Sequence, residues 1–379
     1  MELALVAGEA SGDLLAGLLL GGLRQRWPDL QTAGIGGPRM AAQAFQAWWP
    51  HDKLAVRGYV EVLRHYREIS GIREALAQRL LQAPPQAFIG VDAPDFNLGL
   101  EARLKAAGIR TIHFVCPSIW AWRGGRARKM AASCDHVLCL FPFEPALLRA
   151  HGVTASFVGH PLADAIPLQA PRAASRSALG YGDGDRVVAV LPGSRRSEIQ
   201  AIAPAFLQAA ALMHRQRPGL RFVVPLAAGL RTLIEPLVAA HASGVPLQLL
   251  DGQSHTALAA CDVTLIASGT ATLEAALFKR PMVIGYNMHP LSWQIMKRMR
   301  YQPWVGLPNI LCRDFIVPEL IQGDCTPPAL VEATLRWLDD PDASARVGQR
   351  FEELHHLLRR DTARCAADVI ARVVDDAQA

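Results

Sequence analysis

At 379 residues, 51% of them hydrophobic, the chain is long enough for two buried cores and too apolar for a disordered protein. Its formal net charge of +5 is modest for that length and argues against a nucleic-acid partner unless the positive charge is clustered. Seven cysteines without a C-x-x-C pair exclude a disulfide framework and a thiolate zinc site, and they point to a reducing cytoplasm.

The chain enters an apolar strand at once, over 3–7, with no basic region before it, so no signal peptide is expected. The helix that follows, over 13–26, is too short to span a membrane, and Gly17, Gly21 and Gly22 are expected to let it pack closely on a sheet. Between them lies Gly8-Glu9-Ala10-Ser11-Gly12-Asp13. This loop lacks the G-x-G-x-x-G spacing and sets two carboxylates where a pyrophosphate would sit. Two readings are open: Glu9 and Ser11 grip a hydroxyl-rich substrate, or Ser11 and Asp13 cap the helix.

Further strands are predicted over 32–35, 87–91, 111–115 and 136–140, with helices over 60–81 and 98–107 between them. The strand over 87–91 runs into Asp92-Ala93-Pro94-Asp95-Phe96-Asn97. A carboxylate at a strand end suits a general base, and an Asx turn is the competing role for Asp92; Asp95 and Asn97 have the look of helix N-terminal residues. His113 could be catalytic, but a single histidine within an apolar strand is more often a satisfied core residue. Trp120, Trp122, Arg123, Arg126, Arg128 and Lys129 form an aromatic-basic cluster, fit for sugar rings, phosphate or a lipid surface, or else a solvated helix face.

The segment 159–171 carries Pro161, Pro167 and Pro171, and a Gly-rich stretch follows at 180–184, which marks a hinge. Beyond it, strands are predicted over 187–191, 221–225, 247–250, 263–267 and 282–285, and from Pro327 the chain is helical. The domains are therefore expected at 1–165 and 166–340, with a helical tail over 341–379 free to pack back on the first. Continuous apolar strands alternating with helices give an α/β fold of two doubly wound, Rossmann-like domains facing a cleft, with ligands at the carboxyl ends of the strands.

In the second half, Pro192-Gly193-Ser194-Arg195 joins a strand to a helix. Gly193 permits close backbone approach, Ser194 offers a hydroxyl and Arg195 a fixed charge, so the position suits a phosphate. The Walker spacing is absent. Ser268-Gly269-Thr270 is a second small-residue helix start, and Glu274, one turn further on, is placed to accept from both hydroxyls of a ribose. Together these loops favour a nucleotide diphosphate. Asp183-Gly184-Asp185 reads as a turn, and no histidine pair has metal-ligand spacing, so no metal and no cofactor are expected.

GEASGD (8–13), GVDAPDFN (90–97), PSIWAWR (117–123), LPGSR (191–195), ASGTATLE (267–274) and LPN (307–309), in this order, resemble the lipid A disaccharide synthase family, over residue 3 to past residue 320. The resemblance implies a metal-independent inverting glycosyltransferase of the GT-B type. It would join a UDP-2,3-diacylglucosamine donor to the acylated sugar-phosphate acceptor 2,3-diacylglucosamine 1-phosphate and release UDP. In those terms Asp92 takes the proton from the acceptor 6-hydroxyl, and Glu9 and Ser11 position the acceptor. Arg195 and the amides around Ser194, Ser268, Gly269 and Thr270 hold the diphosphate, Glu274 holds the ribose, and Asn309 is a further contact to the nucleotide. Acylated substrates imply a peripheral enzyme at the cytoplasmic membrane surface, on the inner face of the inner membrane of a Gram-negative bacterium. The stretch from Trp293 through Met296, Lys297, Arg298, Met299, Arg300 and Tyr301 to Trp304 is one membrane-facing segment, unless it packs on its own domain; Trp48 and Trp49 are another, or core. The tail leaves a homodimer open. Another GT-B-like UDP-sugar enzyme, such as an epimerase, would share the second-half grip, and a non-catalytic sugar-nucleotide binder would need no base.

Overall fold

The computed structural model of the protein describes residues 1–54, 59–119, 125–288, 293–294 and 301–375. The chain forms two compact units, Met1–Ala165 with Leu358–Ala379, and Ile166–Leu357.

The first unit is built from β1 (Glu2–Ala7), α1 (Ala10–Arg26), β2 (Gln31–Gly36), α2 (Pro38–Ala41), β3 (Gln46–Pro50), α3 (Tyr59–Gln82), β4 (Ala87–Val91), α4 (Pro94–Ala106), β5 (Arg110–Phe114), α5 (Arg126–Ser133), β6 (His136–Cys139), α6 (Glu144–Arg149), β7 (Ala155–Phe157) and α7 (Pro161–Ala165). Its seven strands lie in the order β3-β2-β1-β4-β5-β6-β7, all pairs parallel. β1 and β4 are buried along almost their whole length, as a parallel sheet covered on both faces requires. Val6, Phe88, Leu100 and Leu104 lie in the core of this unit. Trp48 and Trp49 on the edge strand β3 pack against that core, and the Arg79 guanidinium lies 3.8 Å from the centre of the Trp48 ring.

The second unit continues with α8 (Arg172–Leu179), β8 (Arg186–Leu191), α9 (Arg196–Gln216), β9 (Leu220–Leu226), α10 (Arg231–His241), β10 (Leu247–Asp251), α11 (Ser254–Ala260), β11 (Val263–Ala267), α12 (Thr270–Leu277), β12 (Met282–Tyr286), α13 (Leu307–Cys312), β13 (Glu319–Ile321), α14 (Pro327–Asp339) and α15 (Pro341–Leu358). Its sheet order is β10-β9-β8-β11-β12-β13, again parallel throughout. Arg176, 1% exposed, donates to the carbonyls of Ala260, Gly182 and Asp183 and to Asp262 Oδ2. The Asp183-Gly184-Asp185 stretch is thereby clasped by its carbonyls, in keeping with a turn.

The last helix, α16 (Thr362–Asp375), packs on α1 of the first unit. Gly22 makes this possible: a Cβ there would sit 1.9 Å from that of Ala363. Gly17 lies against the Arg39 backbone and Gly21 against Gln43. The glycines of α1 thus serve contacts with α2, the turn after it and α16, where packing on the sheet was expected. The reason is tertiary: Arg39, Gln43 and Ala363 lie against these three glycines, which a neighbouring helix or turn can approach only where no side chain stands. Asp164 anchors the start of α16 by accepting from the amides of Asp361 and Thr362 at 2.9 and 2.6 Å. No described helix is long and apolar enough to cross a membrane.

His160 follows β7 and is 3% exposed. Its Nδ1 accepts from the Leu162 amide at 3.2 Å, and its own amide donates to the Leu358 carbonyl at 2.9 Å. Burial pushes the imidazole down to about 3. An unfolded histidine titrates near 6.5. Between those values the unfolded chain takes up a proton that the folded chain refuses. The stability contributed by the neutral ring is therefore complete above about pH 6.5 and lost as pH falls toward 3, by at most about 1.4 kcal/mol per pH unit. In urea unfolding between about pH 6.5 and about pH 4, His160→Asn is expected to show a slope shallower by one proton. Equal slopes in the two proteins would remove His160 as the source.

Candidate active site

In both sheets the strand order reverses at one point, between β1 and β4 and between β8 and β11, where a doubly wound sheet opens a crevice at its carboxyl edge. Ala7 is in register with Val91, and Leu191 and Ile266 pair likewise. The loops beginning at Gly8 and Asp92 are therefore neighbours in the first unit, as are those beginning at Pro192 and Ser268 in the second.

In the first unit a Cβ on Gly8 would sit 2.9 Å from that of Ala93, so glycine is what lets the two loops meet. Asp92 and Ala93 both adopt left-handed backbone, with φ of 52° and 43°, and Val115 at the end of β5 does so at 82°. A β-branched residue in that region is strained, and such outliers gather at functional strand ends. The Asp92 amide donates to the Phe114 carbonyl at 2.9 Å, and its carbonyl accepts from Asn97 Nδ2 at 2.9 Å. Both backbone groups are thus fixed, and the half-buried carboxylate stands at the strand end.

Glu9 is the residue before α1, without a side-chain cap, and is half-buried, while Ser11 is exposed in the first turn. Asp13 has a different role: it is 2% exposed and accepts from the amides of Gly37, Arg39 and Met40 at 2.8, 2.9 and 3.1 Å. It caps α2, not its own helix. Asn97 is wholly buried inside α4. Asp95, in its first turn, pairs with Arg126 at 2.6 Å. Trp120, Trp122 and Arg123 lie outside the described residues.

In the second unit Gly193 takes a φ of 122°, and a Cβ there would meet Glu198 Cβ at 2.6 Å. This close turn brings Glu198 against the loop. Its Oε2 accepts from the Ser194 amide at 2.9 Å and its Oε1 from Arg195 at 2.7 Å. The carboxylate thus occupies the two donors expected to meet a phosphate. Ser194 and Arg195 are themselves exposed. Tyr286, at the end of β12, also belongs here: burial raises its phenol, Glu198 adds to the shift and Arg195 opposes it.

Gly269, exposed with a φ of 151°, and Thr270 open α12, and nothing lies within 4 Å of a Cβ built on Gly269. Backbone amides at this turn are therefore open to close approach. Ser268 Oγ donates to the Val305 carbonyl at 3.4 Å. Glu274 Oε2 lies 3.0 Å from His255 Nε2, and the His255 ring packs edge-on against Phe278. Sequence reasoning missed His255 because it follows a different strand, β10, with no motif around it.

Asn309 departs from its expected place. It is 0% exposed, its Nδ2 donates to the Val317 carbonyl and to Glu319 Oε1 at 2.9 Å each, and its Oδ1 accepts from the Val317 amide at 3.0 Å. Both N–H groups are spent inside the protein. Glu319 in turn accepts from the amides of Val305 and Gly306 at 2.9 and 2.8 Å. The geometry makes Asn309 a brace for the turn before α13, and an N–H contact to a nucleotide would break one of these bonds. Of the aromatic-basic stretch before it, residues 295–300 lie outside the described residues. Tyr301 is 67% exposed, and the Trp304 ring lies 6.2 Å from that of Phe315, itself 58% exposed.

A family model described as Lipid-A-disaccharide synthetase matches residues 3–371. A Lipid-A-disaccharide synthase of Albidiferax ferrireducens is 61% identical, over 99% of this chain and 97% of that protein. One from Burkholderia pseudomallei is 56% identical over the same shares. Among solved structures, the UDP-GlcNAc 2-epimerase from Neisseria meningitidis bound to UDP-GlcNAc superposes with a TM-score of 0.69 at 10% identity, covering 98% of this chain and 100% of that one. Arabidopsis thaliana UGT89C1 complexed with quercetin gives 0.66 at 12% identity, with 98% and 99% covered. At such identities these two likenesses speak for the fold alone, of the kind that glycosyltransferases and 2-epimerases share.

Proposed function

The chain belongs to the family of lipid-A-disaccharide synthetases, and we propose that its two units divide the work of one glycosyl transfer, an acceptor base on the first and a nucleotide grip on the second. It is a glycosyltransferase that forms the lipid A disaccharide from a sugar nucleotide and a sugar phosphate. The proposed donor is UDP-2,3-diacylglucosamine and the acceptor 2,3-diacylglucosamine 1-phosphate. The Asp92 carboxylate takes the proton of the acceptor 6-hydroxyl as that oxygen bonds to the anomeric carbon. The bond from that carbon to the diphosphate breaks, and its electron pair leaves with UDP. Arg195 with the amides of Ser194, Gly269 and Thr270 neutralises the departing charge, and Glu274 accepts from the ribose. Glu9 and Ser11, beside Asp92, orient the acceptor. The observation that carries this reading is Glu198, whose carboxylate sits on the Ser194 amide and Arg195 as an anion would.

The acyl chains of both substrates call for a membrane surface, and the exposed Tyr301 and Phe315 give the second unit an apolar contact of that kind. The protein would then work peripherally on the inner face of the inner membrane of a Gram-negative bacterium. Mass spectrometry of products from the purified protein, UDP-2,3-diacylglucosamine and the acylated sugar phosphate is expected to show the tetraacyl disaccharide phosphate and an equal amount of UDP. A donor epimerised or untouched, with no coupled product, would overturn the reading.

A further inference from the structure

Two charged residues near the reaction site have no role in the transfer described above. Glu101 on α4 and His113 on β5 are each 0% exposed, and Glu101 Oε1 lies 2.7 Å from His113 Nδ1. Isolated charges are not buried without cause, because desolvation costs several kcal/mol for each ion. The fold makes room for this pair deliberately. Gly90, in the middle of β4, pairs with His113, and a Cβ on it would fall 2.1 Å from Glu101 Oε1. A second bond would be expected at each outer atom, yet Glu101 Oε2 and His113 Nε2 are buried with no hydrogen-bond partner among the described residues.

The surroundings connect the pair to Asp92. Asp92 lies two residues beyond Gly90, and its amide is bonded to Phe114, the neighbour of His113. Asn97, one turn before Glu101 on α4, holds the Asp92 carbonyl. Burial works against a charged His113 ring, but the Glu101 and Asp92 carboxylates outweigh it and hold the imidazole above its usual value. Cys134, at the end of α5, also feels Glu101, and burial pushes its thiol up and keeps it neutral.

We propose that Glu101 and His113 are a positioning pair for Asp92, an ion pair with the shared proton on the imidazole and its positive end on β5, next to the strand that ends at Asp92, so that the Asp92 carboxylate stays ionised and ready to accept a proton. The inference rests on Asp92 being the base. Glu101 carries the opposite charge, so the pair acts on Asp92 as a dipole, and its effect is smaller than the roughly one to three pH units of a lone neighbouring cation, about one unit at most. Removing either partner abolishes the ion pair, because His113 without Glu101, or Glu101 without His113, is left neutral in the interior.

The test is the pH dependence of kcat/KM for disaccharide formation in the wild type, Glu101→Gln, His113→Asn and Asp92→Asn. Glu101→Gln preserves shape and one acceptor for the ring, so it is expected to remain folded by circular dichroism. In both pair variants the acid limb should move up by about half to one pH unit, while turnover on the alkaline plateau and KM stay within about twofold of wild type. A folded variant whose acid limb coincides with that of the wild type overturns the proposal. Independently of any variant, 15N shifts of the wild-type imidazoles should show His113 as an imidazolium near pH 7, and a neutral ring there overturns it too. Near-normal activity of Asp92→Asn is a separate failure, because it removes the base itself and not the pair.

Discussion

Asp92→Asn is expected to lower turnover by about 10²–10⁴-fold, roughly 3–5 kcal/mol of barrier, and to leave the protein folded. The substitution is chosen for what it preserves. Asp92 is held in left-handed backbone with a φ of 52°, a conformation that asparagine accepts more readily than most residues. Its main-chain bonds to the Phe114 carbonyl and from Asn97 survive the change. What disappears is the carboxylate that receives the proton. Steady-state kinetics at saturating substrates, with circular dichroism of the same sample, checks this. Turnover within a few-fold of wild type would end the case for Asp92 as the base. Alanine or valine is a poorer choice at this site, since backbone strain would then be mixed with lost chemistry.

Arg195→Ala is expected to weaken UDP binding by about 10–10²-fold and turnover by a comparable or larger factor. The larger part of that loss has a specific origin. Arg195 lies 2.7 Å from Glu198, so deleting the guanidinium leaves a carboxylate facing the incoming diphosphate with its partner gone. Repulsion is then added to the lost charge-assisted hydrogen bonds. Stability should change little, because Arg195 is exposed and ion pairs of that kind contribute at most about 1 kcal/mol. Isothermal calorimetry with UDP measures the affinity directly, and an unchanged Kd would move the phosphate site elsewhere. The companion substitution Glu198→Gln separates the two contributions, for it relieves the repulsion and retains the Ser194 contact through the amide oxygen.

The sequence made the strands that carry the site legible, and the reason is physical. β4 and β11 are fully buried parallel strands, so each is a continuous apolar run ended by a polar turn, and their carboxyl ends are unmistakable. β3, β7 and β13 are short or half-exposed edge strands, and no such run announces them. Among the candidate site residues, Asp92 directly follows β4, and Arg195 stands at the helix start that follows β8, so strand ends alone were enough to point to both. Glu9 and Asp13 looked alike in the sequence, and only α2, some 24 residues further on, separates them by taking the Asp13 carboxylate as its cap. The bonds of Asn309 were hidden for the same reason: Glu319 lies on a strand too short to predict, and Val317 just before it. His113 read as an ordinary core histidine, and nothing local tells that its Glu101 partner lies on the next element back.

The path of the chain has a consequence for biosynthesis. The first unit is left at Ala165 and rejoined only from Leu358, so the whole of the second is made before the first is complete. α16 covers α1 at Gly22, and Asp164 waits for the amides of Asp361 and Thr362. On the ribosome, at ordinary elongation rates, α1 stands without that cover for roughly 20–70 s. The order of maturation is thereby reversed from the usual one: the later-made sheet can close first, and the amino-terminal one is sealed by a helix made after it. A nascent chain stalled short of residue 358 should therefore show protease resistance in the 166–357 segment before it appears in the segment that precedes it.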